Sequence, residues 1–152
     1  MNAFVEKPEA ALSSAEVHLM RSKIVDKCAQ VERHILKLID LCGASVSPNA
    51  LLSQKIEALK RALEASPEDP ARSSILAILE ELGAVSDLRS ELVHSTVSTA
   101  TVERRTVAVF RRANEQDAGS GRRLIMTRES LKVAHDRASN SANKLKRAAD
   151  QF

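Results

Sequence analysis

The sequence contains no tryptophan and no tyrosine, and its three phenylalanines are Phe4, Phe110 and Phe152. Proteins that bind single-stranded nucleic acid by base stacking use aromatic side chains as platforms, so this composition argues against that binding mode. The core must be built from Leu, Ile, Val and Ala, which suits helix packing better than a β-sandwich. The length of 152 residues fits one domain, with ordinary proportions of hydrophobic residues (43%) and charged residues (28%).

Several other segments and motifs are missing. No run approaches the roughly 20 apolar residues of a membrane span, and the start, MNAFVEKPEA, does not resemble a secretory signal. Cys28 and Cys42 form no CxxC pair and are expected to be reduced thiols of a cytoplasmic protein. Phosphate-loop, GxGxxG, HExxH and GxSxG motifs are absent. We therefore expect no cofactor, no metal site and no membrane association.

The first helix is predicted to follow a flexible N-terminal arm, residues 1–12. Ser13 and Glu16 stand at capping-box spacing, which favours a helix start at this point. Gly43 is a suitable residue to end the helix. Between them, apolar residues recur at steps of three and four: Val17, Met20, Ile24, Cys28, Val31, Ile35, Leu38 and Cys42.

Two further helices are predicted from proline-containing starts. Ser47 is the expected N-cap of the second helix, with Pro48 as its first residue. Asp69 and Pro70 repeat the signal and open the third helix. Gly83 predicts a kink or break at that point or within the next three residues.

The composition changes after His94, where threonine and valine become frequent. The alternation in TVAVFRR and the second run RRLIMT predict a two-stranded antiparallel hairpin at about residues 101–126. Thr127 then caps a last helix that runs to about Ala149. Together these elements predict a single all-α domain, residues 13–150. Its architecture is an antiparallel up-down bundle of about four long helices, with the small hairpin inserted before the last helix.

Charge is unevenly distributed along the chain. Residues 1–100 hold 11 basic and 14 acidic residues, whereas residues 101–152 hold 12 basic and 6 acidic residues. The basic third is consistent with a surface that faces phosphate, although a solvated charged face would give the same count. The arginines in or beside the predicted hairpin are Arg104, Arg105, Arg111, Arg112, Arg122 and Arg123.

The stretch DLRSELVHS, residues 87–95, closes the third helix and carries a candidate site. Ser90 and His94 stand four residues apart and share a helix face, and Arg89 lies about 100° around the helix from Ser90. Metal-free RNA cleavage needs proton transfer and positive charge on the phosphorane, which histidine and arginine can supply. The alternative is a histidine near a helix C-terminus beside a solvated arginine.

The longer stretch LGAVSDLRSELVHSTV resembles the signature of HEPN domains (higher eukaryotes and prokaryotes nucleotide-binding). The signature is an arginine, a polar residue, a few further positions and a histidine at a helix end, here Arg89, Ser90 and His94. A long first helix, a β-like insertion and MTRESL at the start of the last helix extend the resemblance over roughly residues 14–149, mostly as pattern.

The resemblance implies a homodimer in which two Arg–His motifs face one cleft. Many members are metal-independent endoribonucleases, often toxins or antiviral effectors. By this resemblance Arg89 would bind and stabilise the phosphate, His94 would act as general acid or base, and Ser90 would orient the site. The arginines of the hairpin would guide RNA. Further partners would be a cognate antitoxin or a regulatory protein.

Two other functions stay open. Active HEPN members often have asparagine after the arginine, where this chain has Ser90, so a non-catalytic module that binds a protein partner is the main alternative. A basic helical DNA-binding protein is a weaker one, because no short helix-turn-helix pattern supports it.

Overall fold

A computed structural model describes residues 10–67, 69–112 and 123–152. In chain order the elements are α1 (Ser14–Leu41), α2 (Leu52–Glu64), α3 (Pro70–His94), β1 (Ser95–Val102), β2 (Arg105–Arg112), β3 (Arg123–Met126) and α4 (Arg128–Gln151). The predicted four helices and the hairpin before the last helix are present. The all-α class holds only in part, because a third strand turns the hairpin into a small antiparallel sheet.

Three of the predicted helix caps are confirmed. The Ser13 hydroxyl accepts a hydrogen bond from the Glu16 backbone N–H at 3.1 Å. The Asp69 carboxylate accepts from the Ala71 N–H at 3.0 Å, and the Thr127 hydroxyl accepts from the Ser130 N–H at 3.1 Å. Each bond satisfies an N–H group that has no partner inside its helix.

The predicted start of α2 is wrong by four residues. Ser47 and Pro48 do not begin the helix; the Ser47 carbonyl instead accepts from the Ala50 N–H at 3.0 Å, which closes a turn. The helix begins at Leu52, and the Gln54 side chain accepts from the Leu51 N–H at 2.8 Å. Serine followed by proline also initiates turns, so the same residues allow both structures.

A break at Gly83, one of the two predicted possibilities, is also wrong. Helix α3 continues from Pro70 to His94 without interruption. Glycine costs about 1 kcal/mol relative to alanine inside a helix. Leu79, Leu82 and Val85 around it are buried in the core, and that burial outweighs the cost.

Strand β1 was not predicted, and neither was the turn that joins it to β2. The sheet order is β1-β2-β3, with Ser95 opposite Arg112 and Val102 opposite Arg105. The two turn residues, Glu103 and Arg104, have φ angles of 47° and 68°. Tight hairpins usually place Asn-Gly or Asp-Gly at such positions, so Glu-Arg gave no recognisable signal. The predicted loop between the two runs falls on residues 113–122, which lie outside the described residues.

Helix directions depart from the predicted up-down order. Helices α1 and α4 run parallel, because Glu16 pairs with Arg128 near their N-terminal ends and Lys37 lies 3.6 Å from Asp150 near their C-terminal ends. Helix α3 is antiparallel to both. Its early residue Ala71 lines a cleft with Gln151 at the end of α4, whereas its later residue Leu88 lines another cleft with Ser130 near the start of α4. In an up-down bundle of four helices the first and last helices would be antiparallel.

Helix α2 is antiparallel to α3 and therefore parallel to α1. Lys60 lies 3.4 Å from Glu80, whereas Lys55, earlier on α2, shares a carboxylate with Arg89, later on α3. The connection from residue 42 to residue 51 returns along the helices before α2 begins. An extended chain covers about 3.3 Å per residue against 1.5 Å in a helix, so this connection can span several helical turns.

One carboxylate joins three helices. Glu32 on α1 forms a close ion pair with Lys55 on α2, and its other oxygen lies 3.8 Å from Nη2 of Arg89 on α3. The Lys55 side chain is only 4% exposed, and its ammonium group also approaches the Pro48 carbonyl at 3.4 Å. We call Glu32, Lys55 and Arg89 the Glu32 triad.

The core is aliphatic, as the lack of aromatic residues predicts. Buried Leu, Ile, Val and Ala side chains from all four helices form one cluster, which also contains Phe110 of β2. Leu12, in the predicted arm, is 4% exposed and belongs to this cluster; residues 1–9 of that arm lie outside the described residues. Among the helices of the described ranges, none is long and apolar enough to cross a membrane.

Glu16 should make stability depend on pH. Hydrogen bonds from Arg128 hold the pKa of the Glu16 carboxyl below its usual range, against a smaller opposing effect of desolvation. A depressed folded-state pKa stabilises the fold above the unfolded-state pKa, and this contribution is lost as pH falls through the folded-state value. Glu16→Gln should therefore lower the urea midpoint at pH 7 and have little effect in strong acid. Asp26→Asn, an exposed change on the same helix, is the control; equal pH profiles for the two variants would contradict the assignment.

The Glu32 triad predicts unequal effects of removing its members. Glu32→Gln leaves the buried Lys55 ammonium without a carboxylate and should cost roughly 3 kcal/mol of unfolding free energy. Lys55→Met removes the buried charge at similar volume and should cost on the order of 1 kcal/mol or less. Lys60→Met, also on α2, breaks only ion pairs to the exposed Glu57 and Glu80 carboxylates and should change stability by under about 0.5 kcal/mol. Urea unfolding measures all three, and equal losses for the first two variants would refute this account.

Candidate functional site

Arg89 faces α1 and α2. Its side chain is 31% exposed, and its guanidinium lies against the Glu32 carboxylate. Burial raises the pKa of the nearby Cys28 thiol to about 11, and the charge of Arg89 offsets part of that rise. Cys28 is therefore a protonated, unreactive thiol at neutral pH, and Arg89 sits among groups that join helices.

Ser90 contacts a different arginine, Arg112. Nη2 of Arg112 donates to the Ser90 hydroxyl at 3.2 Å and lies 3.0 Å from a carboxylate oxygen of Glu91. The contact arises because β1 begins directly after His94 and pairs antiparallel with β2, which places Arg112 opposite Ser95. Arg112 was predicted to guide RNA; the structure places it at the motif itself.

His94 is the last residue of α3 and is exposed. It forms no hydrogen bond or ion pair with any residue of the described ranges. It shares a face with Ser90, four residues earlier, and lies about 140° around the helix axis from Arg89. The structure thus brings Arg112 to Ser90, with His94 one helical turn further along the same face of α3, while Arg89 turns toward Glu32.

Two buried polar atoms lack hydrogen-bond partners within the described ranges, and both lie beside this site. They are the Ser95 hydroxyl and Nε of Arg112, which belong to directly opposite residues of β1 and β2. Buried polar groups are usually paired because an unpaired one costs roughly 1–3 kcal/mol. Donor capacity is therefore left unused at the junction of α3 with the sheet.

The other predicted RNA-binding arginines are distributed around the sheet. Arg104 lies in the tight turn, and Arg105, Arg111 and Arg123 are exposed strand residues. Arg111 and Arg123 are directly opposite each other on β2 and β3. Like charges at opposite positions repel, so an anion between them would be stabilising. Arg122 lies outside the described residues.

Sequence reasoning missed two residues near His94. His18 and Arg21 of α1 line a cleft of about 310 Å³ together with Val93, the residue before His94. More than 70 positions separate them from Val93 in the sequence, and neither belongs to a motif, so only the antiparallel packing of α1 and α3 shows the proximity.

The site has the groups for proton transfer and anion binding, and none for metal binding. No group of three or more His, Cys, Asp or Glu residues in the described ranges is placed to hold a metal ion. A mostly apolar cleft of about 240 Å³ between α1, α3 and α4 contains Cys28 at its wall and Arg137 at its edge. None of Ser90, His94 or Arg112 lines that cleft.

No family model, no curated protein and no solved structure matches this chain. The resemblance to HEPN domains therefore has no support from comparison, and the functional argument rests on the geometry around His94.

Proposed function

We propose that this protein is a metal-independent endoribonuclease whose site consists of His94, Ser90 and Arg112. The observation that carries the proposal is the 3.2 Å contact between the Arg112 guanidinium and the Ser90 hydroxyl. It places a permanent cation on the same side of α3 as the imidazole. A phosphate bound there would meet a cation, a hydroxyl and a proton-transfer group at once.

The chemistry follows from what RNA itself supplies. His94, acting as base, removes the proton of a ribose 2′-OH, and the 2′ oxygen attacks the adjacent phosphorus. The bond to the 5′ oxygen breaks, that oxygen takes a proton from water, and protonated His94 returns its proton to the solvent. Arg112 stabilises the negative charge that develops on the phosphorane. The products are a 2′,3′-cyclic phosphate and a 5′-hydroxyl, and DNA is not cleaved.

The exposed arginines of the sheet support RNA as the substrate class. Arg105, Arg111 and Arg123 lie on the sheet face turned away from the core, because they alternate with core-facing residues along their strands. Phosphate contacts from such residues give affinity that is independent of sequence and falls with salt. The chain lacks aromatic platforms for base stacking, so recognition rests on the phosphates and on the 2′-OH.

Arg89 keeps a secondary place in this proposal. Its guanidinium is partly exposed but already engaged by Glu32, so it acts mainly on the packing of α3. The resemblance to HEPN domains implies instead that Arg89 binds the phosphate. A role as toxin or antiviral effector, with an antitoxin or regulatory partner, depends on that resemblance alone.

A non-catalytic interaction module is the second candidate. The observation that favours it is that Arg89 and Arg112 each have a carboxylate partner, Glu32 and Glu91. An arginine paired in this way binds phosphate only if the phosphate competes with the carboxylate.

The proposal predicts the outcome of a cleavage assay. Wild type should cleave mixed-sequence RNA in EDTA and leave 2′,3′-cyclic phosphate ends. His94→Ala should lower the rate by roughly 10²–10⁴, the usual range for a lost acid–base group. Arg112→Lys keeps the charge but loses the two-pronged guanidinium, and should lower the rate on the order of tenfold or more. His135→Ala, on α4, is the matched control and should cleave like wild type.

Two outcomes would reject the ribonuclease. Equal cleavage by wild type and His94→Ala would assign the activity to another site or to a contaminant. No cleavage of any RNA by pure wild type would favour the interaction module.

Arg89→Ala distinguishes the structural assignment from the one implied by the resemblance. Because Arg89 contacts Glu32, we expect a lower melting temperature and a cleavage rate, measured well below that temperature, within about threefold of wild type. If Arg89 binds the phosphate, the rate should fall by about 10² or more. Differential scanning calorimetry and the same cleavage assay give the two readings.

A further inference from the structure

Strand β1 lies at one edge of the sheet. Val102 and Arg105 flank the two-residue turn and form the first hydrogen-bonded pair of the hairpin. The backbone N–H and C=O groups of Val102, and of every second residue before it, therefore point toward β2. The N–H and C=O groups of the alternate residues, Ser95, Val97, Thr99 and Thr101, therefore point away from β2. No backbone hydrogen bond from these groups to another described element is present.

This edge lacks the usual protection against pairing. Proteins place charged residues, prolines, bulges or very short strands at sheet edges. The sequence of β1, STVSTATV, is eight residues long, contains no charged residue and no proline, and pairs with β2 without a bulge. The opposite edge, β3, has four residues and carries Arg123. Only β1 is thus long, uncharged and rich in residues that favour strands.

We propose that β1 pairs with β1 of a second copy of this chain, antiparallel and centred on Thr99. Opposite residues of an antiparallel strand pair face the same side of the sheet. A two-fold axis normal to the sheet must therefore pass between one residue and the same residue of the partner, and not between two successive residues of the strand. Helix α3 fills the space before Ser95, which limits the overlap to residues 96–102. The centre of that range is Thr99, and the two three-stranded sheets become one of six strands.

The second copy fits because its charges complement this edge. In this register the partner's Glu103, one residue beyond the overlap, lies next to Ser95, in the row that also contains Arg112. Within one chain the exposed Glu103 carboxylate has no partner among the described residues, and the Arg112 side chain in that row is partly exposed. The two-fold axis repeats the match at the other end of the strand pair.

The same register adds a residue to each candidate site, an extension that rests on the proposed function. The partner's Arg104, two residues beyond the overlap, lies at the same end of the strand pair as His94, Ser90 and Arg112. Two composite sites result, one at each end of the paired strands, about 30 Å apart at roughly 3.4 Å per residue. This differs from a single shared cleft.

Charge pairs across the proposed interface test the register. Ser98 lies opposite the partner's Ala100, and both residues are exposed in one chain. Four double variants carry Lys/Lys, Glu/Glu, Lys/Glu or Glu/Lys at positions 98 and 100. Both like-charge variants should raise the dimer dissociation constant on the order of tenfold, and both opposite-charge variants should match or tighten the wild-type dimer. Sedimentation velocity over about 1–100 µM protein measures this, with circular dichroism as the check on folding.

Two results would overturn the dimer. One is a monomeric wild type throughout that concentration range, and the other is equal association by all four variants. Neither depends on RNA cleavage, so failure of the dimer and failure of the ribonuclease are separate observations.

Mixing two inactive variants tests the composite site. His94→Ala and Arg104→Ala should each be impaired alone, because each homodimer has two defective sites. Subunit exchange should restore roughly a quarter of wild-type activity, since half of the dimers are mixed and each has one intact site. No recovery after verified exchange would refute the contribution of Arg104 to the partner's site.

Discussion

The Glu32 carboxylate is the charge on which the arrangement of the first three helices depends. A lysine that is almost completely buried requires a counter-ion nearby, and Glu32 is that counter-ion for Lys55. Its second oxygen faces Arg89, so α2 and α3 are each held to α1 through one residue. The arrangement fixes the rotation of α3 about its own axis. Because Arg89 turns inward toward Glu32, Ser90 and His94 turn outward, and the outward face becomes the place where chemistry with a solvent-borne ligand is possible.

The sheet supplies the arginine that contacts the outward face of α3. Strand β2 returns antiparallel to β1 and ends beside the last turn of α3, so a residue 22 positions after Ser90 supplies its hydrogen-bond donor. Helix α4 then runs parallel to α1 and is joined to it by Arg128, whose guanidinium bonds to Glu16 and to the Ala10 carbonyl at 2.9 Å. The end of α3 is thus supported by the sheet, and the sheet is supported by α4.

The sequence predicts well what local chemistry determines. The caps at Ser13, Asp69 and Thr127 and the apolar stripe of α1 depend on residues a few positions apart, and they are found as predicted. The turn at Ser47 and the strand before Glu103 were misread because serine-proline starts both turns and helices, and because Glu-Arg is an unusual hairpin turn. Of the candidate site, the common helix face of Ser90 and His94 follows from helical spacing. The contacts of Arg112 with Ser90 and of Arg89 with Glu32 do not, since both depend on tertiary packing that no local pattern encodes.

The backbone of the turn between β1 and β2 is strained, and the side chains at the turn are not the ones that favour its conformation. Glu103 and Arg104 both adopt the left-handed conformation, which for residues other than glycine is unfavourable by roughly 1–2 kcal/mol each. Asparagine and glycine would adopt the same backbone with less strain. The hairpin is therefore less stable than its backbone allows, and it is the place where the sheet should open first.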